Sequence, residues 1–222
     1  MPQHGFKQSR SEMLDEAKIL QEAVYGILVT SVRAHDLNDG EAITFGVRES
    51  EDLHAWYRYL INSQGVTKGK VGLLGNSMGA TMAIESAASN KGIAAVVAVS
   101  AFSSVDDTIN VSVEYFTRLP TFPFASMILW WAETILNLDV GQIDATQAAA
   151  QLCHTALLIM QGGQDIVVSV ESGEWLHDAA CGDGQLWFED VIGHAQFVTK
   201  QPDEFKRRVV SFFNRSLLPS RL

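Results

Sequence analysis

Cysteine is nearly absent: the chain of 222 residues has two, Cys153 and Cys181. A lone pair makes neither a disulfide framework nor a zinc site, so the expectation is two reduced, partly buried thiols in a cytoplasmic protein. Cations are also scarce, with 16 Lys and Arg against 26 Asp and Glu and a net charge of −10. That balance argues against nucleic acid or an anionic membrane surface as partner. No apolar run approaches the ~20 residues of a membrane span. Residues 127–131 are apolar, but Glu133 comes soon after. Residues 1–10 are polar and lack the apolar stretch of a signal peptide. Neither a metal nor an organic cofactor is expected.

The chain otherwise has an ordinary globular composition, 47% apolar and 19% charged. The length suits one core, hence a single domain over residues 1–222. The centre of the chain is residues 70–81, KVGLLGNSMGAT. Val71, Leu73 and Leu74 read as a strand covered on both faces. Ala80, Ala83, Ala87 and Ala88 read as the next helix. Between them Gly75-Asn76-Ser77-Met78-Gly79 fits G-x-S-x-G. In that setting the pattern predicts a serine on a strained strand-to-helix turn, its hydroxyl above the sheet and the helix N-terminus beside it.

Along the chain, the pattern predicts a helix over 11–23, a strand over 25–32 and a turn at Asn38-Asp39-Gly40. A helix comes next within 44–63, where Leu53, Trp56, Tyr57, Leu60 and Ile61 keep a 3.6 period. Further strands are expected at 92–100, 155–160 and 185–190, with helices at 172–180 and 202–213. Alternating strands and helices imply an α/β fold with a mostly parallel sheet flanked by helices. Right-handed crossovers place every strand's C-terminal end at one rim. Ser77, Asp165 and His194 each come directly after such a strand. They are the candidate nucleophile, orienting carboxylate and base. Asp106 or Asp107, after the strand at 92–100, is the rival carboxylate. His4, His35, His54, His154 and His177 read as structural or loop residues.

In these motifs the chain resembles the α/β-hydrolase superfamily, serine esterases and their relatives. The resemblance rests on Gly75-Asn76-Ser77-Met78-Gly79, Gly162-Gly163-Gln164-Asp165 and Gly193-His194, in the order Ser, Asp, His. His4-Gly5-Phe6 resembles the family's oxyanion loop, and Thr44-Phe45-Gly46 with Glu49 and Asp52 resembles a stretch of its bacterial members. The resemblance implies an oxyanion hole made by the backbone N–H groups of Phe6 and Met78. Two departures stand out. Three residues precede His4, so the N-terminal strands are expected to be reduced or missing. The alternatives are a short strand, help from a second chain, or a truncated form. Arg33-Ala34-His35-Asp36-Leu37 stands where the family has a glycine-and-serine turn.

Residues 103–152 break the alternation and are expected to form a small helical cap over the active rim. Phe102, Phe124, Trp130 and Trp131 are candidate pocket residues, and the cap is a possible homodimer contact. The expected activity is hydrolysis of small-molecule carboxylic esters through a Ser77 acyl-enzyme. Alternatives with the same three residues are a thioesterase, an amidase or peptidase, and a perhydrolase. The non-enzymatic alternative is a hydrolase-fold protein that binds a small molecule.

Overall fold

The computed structural model describes residues 1–40, 42–182 and 184–218. Among these, five strands form one all-parallel sheet in the order β1-β2-β3-β4-β5. They are β1 (Pro2–Gln3), β2 (Val71–Asn76), β3 (Ile93–Val99), β4 (Ala156–Gly162) and β5 (Gly184–Glu189). The helices are α1 (Leu14–Glu22), α2 (Glu49–Asn62), α3 (Met78–Ser89), α4 (Val105–Thr117), α5 (Thr121–Leu136), α6 (Ala145–Ala149), α7 (Ser172–Ala179), α8 (Phe197–Lys200) and α9 (Pro202–Leu217).

Strand alternation divides the core. Val71 and Leu73 of β2, Val96 of β3 and Ile159 of β4 face α2, α3 and α7, where Leu53, Met82, Ile84 and Leu176 meet them. Leu74, Val97, Leu158 and Met160 face the other way, onto Met13, Leu20, Phe205, Val209 and Phe212 of the α1 and α9 layer. Burying each of the large α9 side chains stabilises the fold by roughly 1.5–3 kcal/mol. Pro202 at the start of α9, with Asp203 and Glu204 in its first turn, suits the helix's N-terminal end.

Two expectations need correction. Residues 25–32 do not form a strand. They touch the sheet through one parallel bridge between Thr30 and Gln3. The reason is the partner: β1 is two residues long and offers no further ladder. The Gln3 side chain supplements that bridge, exchanging hydrogen bonds of 3.0 and 3.1 Å with the Thr30 hydroxyl. The helix expected within 44–63 is there and runs over Glu49–Asn62. The Glu49 carboxylate reaches back to accept from Thr44 N (2.7 Å), Thr44 Oγ1 (2.6 Å) and Gly46 N (2.9 Å), which fixes residues 44–46 as a turn. Finally, Cys153 and Cys181 are not free thiols but form a disulfide. It joins the segments leading into β4 and β5. The cytoplasmic expectation rested on reduced thiols, and this bond removes that support.

The excursion between β3 and β4 leaves and returns at one point. Ser104 and Asp144 form an antiparallel bridge, and Ala145 N donates to Ser103 O at 2.8 Å. Helices α4 and α5 pack on each other in between. Helix α6 instead packs on α3 and α7, and its Ala145, Ala148 and Ala149 belong to the main core. No helix among the described residues is long and apolar enough to cross a membrane.

The disulfide closes a loop with a sequence separation of 28. Cys153→Ser is therefore expected to lower the unfolding free energy by about 3–4 kcal/mol. Urea melts of variant and wild type check it; equal midpoints would mean the bond contributes nothing.

Candidate active site

The chain runs from β1 to Thr30 on one side and returns through α2 to β2 on the other. In open α/β sheets such a reversal marks the place where ligands bind, beyond the strands' C-terminal ends. Ser77 stands there. Its φ of 54° and ψ of −123° are a strained backbone for a residue with a Cβ. The strain is held by Ser77 N–H donating to Val99 O at 2.8 Å, and by α3, whose Ala80 N and Thr81 N donate to Ser77 O. A Cβ at Gly79 would lie 2.5 Å from both Gln3 O and His4 O, so only glycine lets α3 approach β1 this closely.

Residues 4–6 sit against the serine. A Cβ on Gly5 would lie 3.2 Å from Ser77 Cβ. The loop is held from both sides: Gly5 N donates to Gln8 Oε1 at 2.9 Å, and Lys7 N donates to His35 Nε2 at 3.2 Å. His35 Nδ1 in turn faces Arg33 O at 2.8 Å, which places its proton on Nδ1. Among the described residues, the backbone N–H groups of Phe6 and Met78 have no hydrogen-bond partner. The Phe6 ring stacks on Phe45, 5.1 Å between centroids.

On the far side of β3, Asp165 comes after β4 and His194 after β5. His194 Nδ1 lies 2.8 Å from Asp165 Oδ2 and 3.0 Å from Oδ1. Asp165 Oδ1 also accepts from Val167 N and Val168 N, both at 3.0 Å. The carboxylate side chain is 0% exposed. Burial pushes its pKa up, but the His194 hydrogen bond and charge and the two backbone donors outweigh that and hold it below the ordinary value. Ala195 N donates to Ser100 Oγ at 3.0 Å, so the histidine loop is tied to the same strand end as Ser77.

The structure thus brings His194 and Asp165 into contact and leaves Ser77 Oγ and His194 Nε2 unbonded among the described residues. The rival Asp107 faces elsewhere, toward the Ser103 and Ser172 hydroxyls at 3.5 and 3.4 Å. Phe102 is core, its backbone clamping the Thr81 hydroxyl. Phe124 is half-buried. Trp130 and Trp131 are 60% and 53% exposed and stack edge to face on each other. Their helix is apolar all round, so periodicity could not tell its inner from its outer face. A cavity of about 410 Å³, lined by Tyr25, Ile27, Leu60, Val66 and Phe213 among others, lies at the opposite rim and touches none of these groups.

Sequence reading missed Gln8 and Ser100. Gln8 had a local signal, standing three residues after Gly5 where a side chain closes a turn; Ser100 had none. Among the described residues no cluster of His, Cys, Asp and Glu could hold a metal ion.

The parallel sheet, its flanking helices and the serine turn define an α/β-hydrolase. Solved structures agree. The Pyrococcus furiosus esterase Pf2001 matches with a TM-score of 0.80 and 27% identity, over 97% of this chain and 82% of that one. Two others share the fold. The α/β-hydrolase GrgF from Penicillium sp. sh18 has TM-score 0.74 and 18% identity, over 97% and 89% of the two chains. Acetyl xylan esterase 1 from Thermoanaerobacterium sp. JW/SL YS485 has TM-score 0.69 and 16% identity, over 98% and 74%. Residues 54–172 match the family described as BAAT / acyl-CoA thioester hydrolase C terminal, and the chain belongs to that family. No curated protein matches this sequence.

The lowered Asp165 pKa makes stability depend on pH. The unfolded chain binds this proton more readily than the folded one. The stabilisation is therefore complete above the ordinary aspartate value and is lost as pH falls through the folded value. The stability gap between wild type and Asp165→Asn should narrow as melts are taken from neutral pH to about pH 3. A gap independent of pH would contradict this.

Proposed function

We propose that this chain is a serine hydrolase that cleaves small carboxylic esters through an acyl-enzyme on Ser77. One observation carries the reading: a histidine held by a fully buried carboxylate stands at the same strand ends as a serine on a strained turn. His194 Nε2 takes the Ser77 proton as Oγ attacks the ester carbonyl carbon. Asp165 keeps the imidazole proton on Nδ1 and stabilises the imidazolium. The N–H groups of Phe6 and Met78 receive the oxyanion; losing one such donor raises a barrier by about 3–4 kcal/mol. The tetrahedral intermediate collapses, and His194 gives its proton to the departing alkoxide. Water, deprotonated by His194, then attacks the acyl carbon, and Ser77 leaves with a proton.

A thioester substrate is the second reading, and the family match favours it. The chemistry is the same except that a thiolate leaves. Polar groups beyond the bond, as on a CoA carrier, would need recognition outside the rim.

Ser77→Ala is expected to reduce p-nitrophenyl ester turnover by at least about 10³-fold while leaving the melting curve unchanged. Retained turnover would remove Ser77 from the reaction. A fluorophosphonate probe should label wild type at Ser77, whereas folded protein that resists labelling would favour a binding role. Paired substrates with the same acyl group settle the leaving group. A higher kcat/KM on the oxygen ester supports the first reading, and a higher value on the acyl-CoA supports the second.

A further inference from the structure

We propose that Glu16 is held as a neutral carboxylic acid against Asn76 and thereby positions the Ser77 turn. This rests on the reading of Ser77 as nucleophile. Asn76 is the residue before Ser77 and the last of β2. Strand alternation turns its side chain to the α1 face, away from α3. There Asn76 Nδ2 donates to Glu16 Oε1 at 2.8 Å, and the same nitrogen lies 3.5 Å from Met13 Sδ. Glu16 is 1% exposed and Asn76 is 8% exposed.

The hydrogen-bond accounting then fails for a carboxylate. Glu16 Oε2 and Asn76 Oδ1 are both buried with no donor among the described residues. An ionised Glu16 would leave a buried charge that meets only the Asn76 amide and its own backbone N–H, with Oε2 unmet, and Asn76 Oδ1 would have no donor. One proton repairs both faults. Placed on Oε2 and donated to Asn76 Oδ1, it closes an eight-membered acid–amide ring in which each group donates once and accepts once. No cation pairs with Glu16 among the described residues. The charges acting on it are Asp15 and Glu12 of its own segment, both of like sign, and β2 presents only the neutral amide. Burial, chiefly, pushes the Glu16 pKa above the usual glutamate value, against the lowering effects of the Asn76 bond and of its own backbone N–H.

The ring matters to Ser77 because a strained turn persists only where its surroundings over-determine it. The Ser77 N–H bond to Val99 fixes one side of the Asn76–Ser77 peptide unit. The acid–amide ring anchors the side chain that precedes it. Glu16 touches neither substrate nor reacting atoms; it acts through Asn76.

The test uses two variants of the intact chain. Glu16→Gln keeps a neutral group that can donate and accept; Glu16→Met keeps the volume and removes both. A carboxyl raised in the folded state stabilises fully below its unfolded value and less as pH rises toward its folded value. Glu16→Gln should therefore become more stable than wild type, by a margin that widens as melts are taken from about pH 4 to pH 9. Glu16→Met should lower kcat on a p-nitrophenyl ester by about tenfold or more with KM nearly unchanged, and Glu16→Gln should restore kcat to within about threefold. If Glu16→Met does not fold, the pH–rate profiles of wild type and Glu16→Gln decide. An alkaline fall in kcat found only in wild type supports the proposal. Identical pH profiles for wild type and Glu16→Gln overturn it, as does full kcat in a folded Glu16→Met. The stability arm does not depend on catalysis: a wild type that neither labels nor turns over would overturn the Ser77 reading while the melts still decide the protonation of Glu16.

Discussion

The end of β3 is the point on which the site depends. Val99 O accepts the Ser77 N–H, Ser100 Oγ accepts the Ala195 N–H, and Ser100 N–H donates to Met160 O. Two adjacent residues thus tie together the C-terminal ends of β2 and β4 and the loop after β5. These bonds exist because the four strands from β2 to β5 run parallel and in register, Asn76 beside Val99 and Val99 beside Met160. Without that common height the serine and the histidine would belong to separate loops. With it, groups 117 positions apart (77 and 194) share one rim.

Two buried carboxyls near that rim are shifted in opposite directions by the balance between burial and the donors each meets. Asp165 meets the imidazole and two backbone N–H groups and stays ionised at low cost. Glu16 meets the Asn76 amide and its own backbone N–H, and burial dominates. Low dielectric amplifies both outcomes, since it strengthens a satisfied charge network and penalises an unsatisfied one.

The excursion α4–α5 is built differently from the rest. It is hinged at the Ser104–Asp144 bridge and packs mainly on itself, with many of its large apolar side chains exposed. Ser104 caps α4 through Asp107 N, and Asp144 caps α6 through Thr146 N and Gln147 N. The excursion therefore begins and ends at defined helix caps, while its interior lacks a comparable set of buried partners. At the opposite rim the disulfide joins the approaches to β4 and β5 and braces the base of the strands whose far ends carry Asp165 and His194.

Local chemistry was legible in the chain itself. The glycine spacing around Ser77, the apolar runs of β2, β3 and β4, and the order Ser, Asp, His are properties of short segments, and short segments set backbone conformation. They determined an α/β sheet and named the residues at its rim. Tertiary structure alone decided the rest. Residues 25–32 have the composition of a strand, yet pairing needs a partner, and a two-residue β1 supplies one bridge. Cys153 and Cys181 became a disulfide because crossover α7 returns the chain beside its start. Phe102 went to the core and the tryptophans to the surface because apolar composition does not specify which face is covered. Glu16 and Asn76 meet only because α1 folds across the sheet, and no pattern within either segment announces a partner 60 positions away.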